Sequence, residues 1–509
     1  MTDPADLVLT NAEIHTLAAP DTTAEALAVR DGEIVRVDSA YEIDFLDGVE
    51  TTTIDLDGRV LLPGFIDAHT HMTAVGKRLV HADLANADAR DEAVSLLAER
   101  ADATDREWIL GYGYDESDWG SPRYLDRSDL DDVSTDRPVV AFREDMHTAG
   151  VNSVVLDRLG EQLPDDDVRT ENGDPTGVIV ENVLGPIRDA IAPDRAETRE
   201  LLLAAQEYAT ERGVTGVHDM VRQSHAPRAY RDLDLADELA VRVRLNYWSD
   251  HLDALREVGL TTDHGSEFVR TGAIKTFTDG SLGGRTAKLT EPYADAPDAT
   301  GQWVVPPADL DDLAERVDDA GFQMTAHAIG DAAIDAVLDA YERTDADEAR
   351  HRIEHLELPS EEAIDRLADM GAVASVQPNF LKWAGEDGLY DARLGTERRA
   401  RSNPIRNLLD AGIPLAFGSD CMPLDPLFGI EQVVAAPDER QRLTVTEALR
   451  AYTAGAAYAG FDEDRLGTIE PGKRADFAVL DRSPWEAADI AAIDVAMTVV
   501  DGTIVHDAR

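Results

Sequence analysis

A chain of 509 residues, 43% of them hydrophobic, can bury a large core and should hold more than one domain. With 102 acidic against 47 basic residues its formal net charge is -55, which repels phosphates and argues against a nucleic-acid partner. No apolar run approaches the roughly 20 residues that cross a bilayer, and the single cysteine, Cys421, excludes an intrachain disulfide.

The opening Met-Thr-Asp-Pro-Ala-Asp lacks the basic and apolar parts of a signal peptide, so a cytoplasmic location with no membrane partner is expected. Acids are spread along the whole chain, while lysine is confined to Lys77, Lys275, Lys288, Lys382 and Lys473. A surface rich in acids and poor in lysine suits molar salt, which screens self-repulsion within a few Å. A halophilic protein is therefore expected.

From the N-terminus, residues 7–60 read as short strands joined by turns. Asp31-Gly32 lies between Ala26-Leu-Ala-Val-Arg and Glu33-Ile-Val-Arg-Val, which is a hairpin signal. The chain closes on a matching pattern, with strands before and after Asp501-Gly502. Neither end supplies enough strands for a stable sheet, so 1–59 and 465–509 are expected to form one composite β-sandwich domain.

Next comes an apolar run at Val60-Leu-Leu, broken by Pro63-Gly64, which resumes at Phe65-Ile66 and ends in Asp67-Ala-His69-Thr-His71. Histidines two apart share one face of a strand, so both imidazoles can reach one metal ion from the same side. Further strand ends are expected at 213–219, 272–277, 322–327, 352–355, 372–377 and 414–420. Helical patterns lie between several of them, such as 331–340 and 360–370. Repeated β-α units over roughly 250 or more residues predict an α/β fold, a (β/α)8 TIM-type barrel spanning 60–464. The stretch of about 78–200 is too long for one connection and is expected to be an insertion subdomain.

In such a barrel the polar residues at strand C-termini form the site. Here they are His69, His71, Lys275, His327, His355 and Asp420. Four imidazoles and a carboxylate suit zinc or a similar divalent ion, and a thiolate site is excluded because no cysteine cluster exists. Asp420 by itself could equally cap a helix; beside four histidines it reads as catalytic. Cys421 is expected to be a small buried residue, not a nucleophile. His218, at another strand end, is a candidate substrate contact. Tyr112, Tyr114 and Trp119 are candidates for an apolar pocket wall, with core packing as the plainer alternative.

The motifs Pro63-Gly-Phe-Ile-Asp-Ala-His-Thr-His, Asp279-Gly-Ser-Leu-Gly-Gly-Arg, His327-Ala-Ile-Gly-Asp, Arg352-Ile-Glu-His and Gly418-Ser-Asp together resemble the amidohydrolase superfamily. The resemblance is to its YtcJ-like branch, amidohydrolase family 3, whose members include N-substituted formamide deformylase. It implies a metal-dependent hydrolase of a non-peptide C-N bond, amide or N-formyl/N-acyl, acting through metal-activated hydroxide. His69, His71 and Asp420 would hold one metal, and His327 and His355 another. Lys275, carboxylated by carbon dioxide to a carbamate, would bridge them. Asp420 would move the proton, and His147, in His147-Thr-Ala-Gly, would contact the substrate or the developing oxyanion, with a structural role as the alternative. The expected partner is a small-molecule amide, and a homodimer is carried as an open expectation.

Two other readings stay in view. A mononuclear deaminase on the same fold usually places a glutamate soon after the fifth-strand histidine, where this chain has Ala-Ile-Gly-Asp. A non-catalytic regulatory protein on a hydrolase scaffold would not need an intact ligand set.

The charge generates a prediction about salt. The midpoint of thermal unfolding is expected to rise as potassium chloride increases from dilute buffer to molar concentration. A midpoint independent of salt would contradict the halophilic reading.

Overall fold

The computed structural model describes the chain except residues 1–2, 86, 117–118, 145–147, 163–167, 172–173 and 181–183. It forms two compact units, one of Met1–Met72 with Gln206–Arg509, the other of Thr73–Ala205.

The first unit contains eight parallel strands in consecutive order: β1 (Phe65–Thr70), β2 (Val214–Val221), β3 (Arg242–Trp248), β4 (Val269–Phe277), β5 (Met324–Ala328), β6 (Arg352–His355), β7 (Val373–Val376) and β8 (Leu415–Phe417). Helices such as Pro307–Asp318, Asp331–Tyr341 and Glu361–Met370 alternate with them, giving a nearly closed TIM-type barrel. The last of these helices starts where Ser360 accepts a hydrogen bond from the Ala363 N–H (3.0 Å) and stops at Gly371, whose φ of 69° suits a residue without a Cβ.

The seam between β8 and β1 is bridged by two groups. Asp420 N–H donates to the His69 carbonyl (2.7 Å). The Asp67 carboxylate accepts from the backbone N–H of His69 (3.0 Å) and of Ser419 (3.0 Å). Burial pushes the Asp67 carboxyl up to about 7. Gly418 allows the approach: a Cβ there would run into the His69 backbone nitrogen and lie 2.8 Å from the His69 Cβ.

The sequence reading names no strand over 242–248, although Arg242, Arg244 and Asn246 alternate with apolar residues like the wet face of a surface strand. All three are buried. Arg242 is paired with Asp476 (2.7 and 3.0 Å) and Asp501 (2.8 Å), Arg244 with Asp462 (2.9 Å) and Asp263 (2.7 Å). Buried charge is tolerated only when paired in this way.

The chain ends build two sheets. One has four strands, in the order Glu33–Asp38, Ala26–Arg30, Leu7–Thr10 and Thr52–Asp55, all from the N-terminal segment. The other has six and mixes both ends: Thr503–Asp507, Val495–Val500, Phe477–Leu480, Val60–Pro63, Glu13–His15 and Thr23–Ala24. A shared core of Leu9, Leu27, Ile54, Leu61, Phe477 and Met497 joins them. Asp31-Gly32 and Asp501-Gly502 are both hairpin turns with positive φ at each residue, as two-residue loops require.

The second unit carries a six-stranded mixed sheet that includes Ile109–Tyr114 and Val139–Arg143. A bulge at Gly113 (φ 97°) interrupts the alternation, so Tyr112 and Tyr114 enter different cores. Among the described residues no helix is long and apolar enough to cross a membrane.

Gly418→Ala is expected to lower stability by about 1–3 kcal/mol, the usual range for overpacking, because the seam cannot yield without moving His69. Denaturant unfolding checks this; an unchanged midpoint would mean that the seam is soft.

Candidate active site

β1 ends by presenting His69 and, one residue past the strand, His71. The His71 Nδ1 meets the Met220 carbonyl at 3.3 Å, and its Nε2 lies 3.3 Å from Asp420 Oδ1. The His69 Nδ1 meets Glu354 Oε2 at 2.6 Å, and its Nε2 lies 3.7 Å from the same Asp420 oxygen. The ligand atoms of His69, His71 and Asp420 lie within 4.8 Å of one another, a group able to hold a metal ion.

The electrostatics follow from burial. It lowers the His69 pKa, with the Lys275 charge in the same direction. For Asp420, burial works upward but is outweighed by the His71 hydrogen bond and the His69 charge, so the carboxyl is held below its ordinary value. The residue itself sits at φ 50° and Cys421 at φ 55°, a left-handed pair unusual for side chains with a Cβ. Cys421 is half-buried, not enclosed as expected.

The His355 and His327 rings complete a row. His355 closes β6 at φ 72°, with its ring 5.0 Å from His69 and 4.4 Å from His327. Left-handed backbone at a β-strand end is strain of the kind found at functional sites. His327 stacks on Phe277 (4.1 Å), and its Nε2 donates to the Gly280 carbonyl (3.0 Å). Burial and then the Lys275 charge push its pKa down to about 3. Lys275, on β4, is 0% exposed, and burial pushes its amine down to about 8.

Three nitrogens at this place are buried without a hydrogen-bond partner among the described residues: Lys275 Nζ, His327 Nδ1 and His355 Nδ1. Each such group costs on the order of 1–3 kcal/mol. Neutral imidazole nitrogens and a carboxylate converging in one buried place are the donor set of a divalent transition metal, so these residues fit such an ion.

Other expected residues lie elsewhere. His218 is buried on β2 and takes a hydrogen bond from Arg352 Nη1 to its Nδ1 (2.9 Å), in the charged layer of the barrel interior. Trp119 stacks on Tyr114 (5.8 Å) and donates from Nε1 to the Ala87 carbonyl (2.9 Å) in one core of the second unit. Tyr112 stacks on Phe142 (5.2 Å) in the other. The three aromatics therefore form no common wall, because the Gly113 bulge turns Tyr112 and Tyr114 apart. His147 lies outside the described residues.

Two residues were not singled out from the sequence. Glu354 holds His69 while accepting from Arg352 Nε (2.9 Å) and from the Thr325 hydroxyl. Its signal was present in Arg352-Ile-Glu-His, where two charges share the inward face of a strand buried on both sides. Asp279 accepts from the backbone N–H of Lys288 (2.7 Å), Gly330 (2.9 Å) and Ile329 (3.1 Å), which fixes the turn after β5 beside His327.

A (β/α)8 barrel that gathers imidazoles, an aspartate and a buried lysine at its strand C-termini has the build of a metal-dependent hydrolase. Residues 52–506 match the amidohydrolase family, and the chain belongs to it. It is 31% identical to YtcJ of Bacillus subtilis, an amidohydrolase by name, over 97% of this chain and 98% of that protein. It is 28% identical to the N-substituted formamide deformylase of Arthrobacter pascens, over 100% of this chain and 99% of that protein. Its fold is similar to the crystal structure of an uncharacterized metal-dependent hydrolase from Pyrococcus furiosus, with a TM-score of 0.82 and 30% identity over 94% of this chain and 100% of that one.

Glu354→Gln keeps the size of the side chain but removes the charge that orients His69. Metal affinity is expected to fall about 10–100-fold, as for other residues that hold a ligand histidine. Titration of the metal-free variant measures this, and wild-type affinity would take Glu354 out of that role.

Proposed function

We propose that this hydrolase acts on a non-peptide carbon-nitrogen bond, an N-formyl or N-acyl amide of a small molecule, with two divalent cations, zinc foremost. The observation that carries the reading is Lys275, a fully buried amine with no hydrogen-bond partner among the described residues, whose charge acts on all four histidines. An ammonium there would oppose bound cations, whereas a carbamate formed with carbon dioxide offers two oxygens and a negative charge. His69, His71 and Asp420 would hold one cation and His327 and His355 the other, with the carbamate of Lys275 between them. Cations so held lower the pKa of a water from about 15.7 towards about 7 and polarise a carbonyl oxygen.

The chain's own residues supply orientation and proton transfer. Glu354 and the Met220 carbonyl fix the two β1 imidazoles, so that both Nε2 atoms face Asp420. The Asp420 carboxylate accepts the proton released as water adds to the carbonyl carbon. It returns that proton to the nitrogen as the C-N bond breaks. Similarity to the formamide deformylase along the whole chain supports formyl and acyl amides as the first substrates to try.

The test is a panel of N-formyl and N-acyl amines in high salt with added zinc, run on wild type and Asp420→Asn. Turnover of at least one amide is expected, with two metals per chain. The variant should fold, keep most of its metal and lose about 10²–10⁴-fold in kcat. Near-normal turnover by Asp420→Asn would remove it from proton transfer, and a single metal per chain with deaminase activity would favour the mononuclear alternative.

A further inference from the structure

The second unit holds a cavity of about 230 Å³ whose lining includes Lys77, His81, Trp108, Leu110, Tyr112 and Leu201. None of these belongs to the ligand set above. Lys77 lies in the helix Met72–Val80 and His81 follows its end, four residues on, so both side chains leave the same face. The strand Ile109–Tyr114 sets Tyr112 against them. Lys77 Nζ is 6.0 Å from the Tyr112 ring centre, and the His81 ring is 5.8 Å from it.

These three groups are unsatisfied. Among the described residues neither Lys77 Nζ nor the His81 ring has a hydrogen-bond or carboxylate partner. The Tyr112 hydroxyl, on a side chain 5% exposed, is buried with none. Carboxylates do line the cavity, but they are already engaged: Glu197 with Arg106 (3.0 Å) and Glu107 with Arg158 (2.5 Å).

Lys77 is the cation on this lining without a carboxylate partner among the described residues, because the acids there are held by arginines, Arg106 among them. Burial and then Arg188 push the Lys77 amine down, while burial and then Arg106, Arg100 and Lys77 push His81 down to about 3. No acid contributes to either shift. In a chain of net charge -55, this is a place where an anion would meet positive charge.

We propose that this cavity binds a small carboxylate with an apolar body. The carboxylate would take charge-assisted hydrogen bonds from Lys77 Nζ, with His81 and the Tyr112 hydroxyl as further donors. The body would lie against Trp108, Leu110 and Leu201. The cavity is smaller than the ~300–1,000 Å³ of a drug-sized site, which limits the ligand to about the size of benzoate or hexanoate. A wholly polar anion such as phosphate leaves the apolar lining unused.

Calorimetric titration of the full-length, metal-loaded protein with benzoate, at constant chloride, tests this. Saturable binding of one benzoate per chain is expected, and benzamide, equal in shape but uncharged, should bind about tenfold or more weakly. Lys77→Met, which replaces an unpaired amine by an apolar chain of similar length, should weaken benzoate about tenfold or more. Tyr112→Phe should weaken it about threefold. No saturable binding, equal affinity for benzamide, or full affinity in Lys77→Met would overturn the proposal; the last would place benzoate at the metal centre. Should Lys77→Met fail to fold, Lys77→Gln carries the same comparison.

Discussion

Glu354 has no exposure, and its two oxygens are shared by His69, Arg352 and Thr325. Arg352, equally buried, extends the network to the Ala68 carbonyl (2.6 Å), Ser375 Oγ (3.0 Å) and His218 Nδ1 (2.9 Å). This single ion pair thereby joins β1, β2, β5, β6 and β7 across the inside of the barrel. Leaving one member of such a pair alone costs about 3–5 kcal/mol, so the network is an all-or-none feature. For Glu354, burial works upward on the carboxyl but Arg352 and His69 outweigh it, so the group stays charged. That charge sets the orientation of the first histidine of the site. Stability of the barrel and aim of the His69 imidazole rest on the same carboxylate.

The seam between β8 and β1 repeats the device with backbone groups. Asp67 takes N–H groups from both sides, and Asp420 N–H reaches the His69 carbonyl. Closure therefore fixes His69 and Asp420 relative to each other before any ion is considered. The left-handed backbone at His355, Asp420 and Cys421 marks where the strands are turned so that side chains converge. Such conformations persist only where surrounding contacts over-determine them, and the seam supplies those contacts. The site and the closure of the barrel are one construction.

Charge inside the barrel is buried only in pairs. Arg242, Arg244 and Arg352 are drawn into the barrel interior, and the acids that neutralise them come from distant segments, including Asp462, Asp476 and Asp501. The remaining excess of acid lies outside these pairs. Arginine suits the interior because its planar fork meets a carboxylate with two parallel hydrogen bonds and is more weakly hydrated than a lysine ammonium. The buried lysine of β4 is then the exception that asks for chemistry, and the family match shows the kind of chemistry the fold serves.

Short-range pattern in the chain specifies its turns, caps and buried strands. Asp31-Gly32 and Asp501-Gly502 specify hairpins because their turns need positive φ, and Ser360 and Gly371 bound their helix by capping. The largely apolar runs ending in His69, Lys275 and His327 read as strands, and each is buried on both faces. Other features depend on pairing between distant segments. β3 hid behind arginines whose burial depends on partners more than 200 residues away. The turn of Tyr112 away from Tyr114 comes from a bulge that strand pairing creates. The tie between Glu354 and His69 spans 285 residues and exists only because parallel pairing brings those strands round to one another. Local periodicity fixes which face a side chain leaves by; which side chains meet is set by register and closure, properties that no single segment carries.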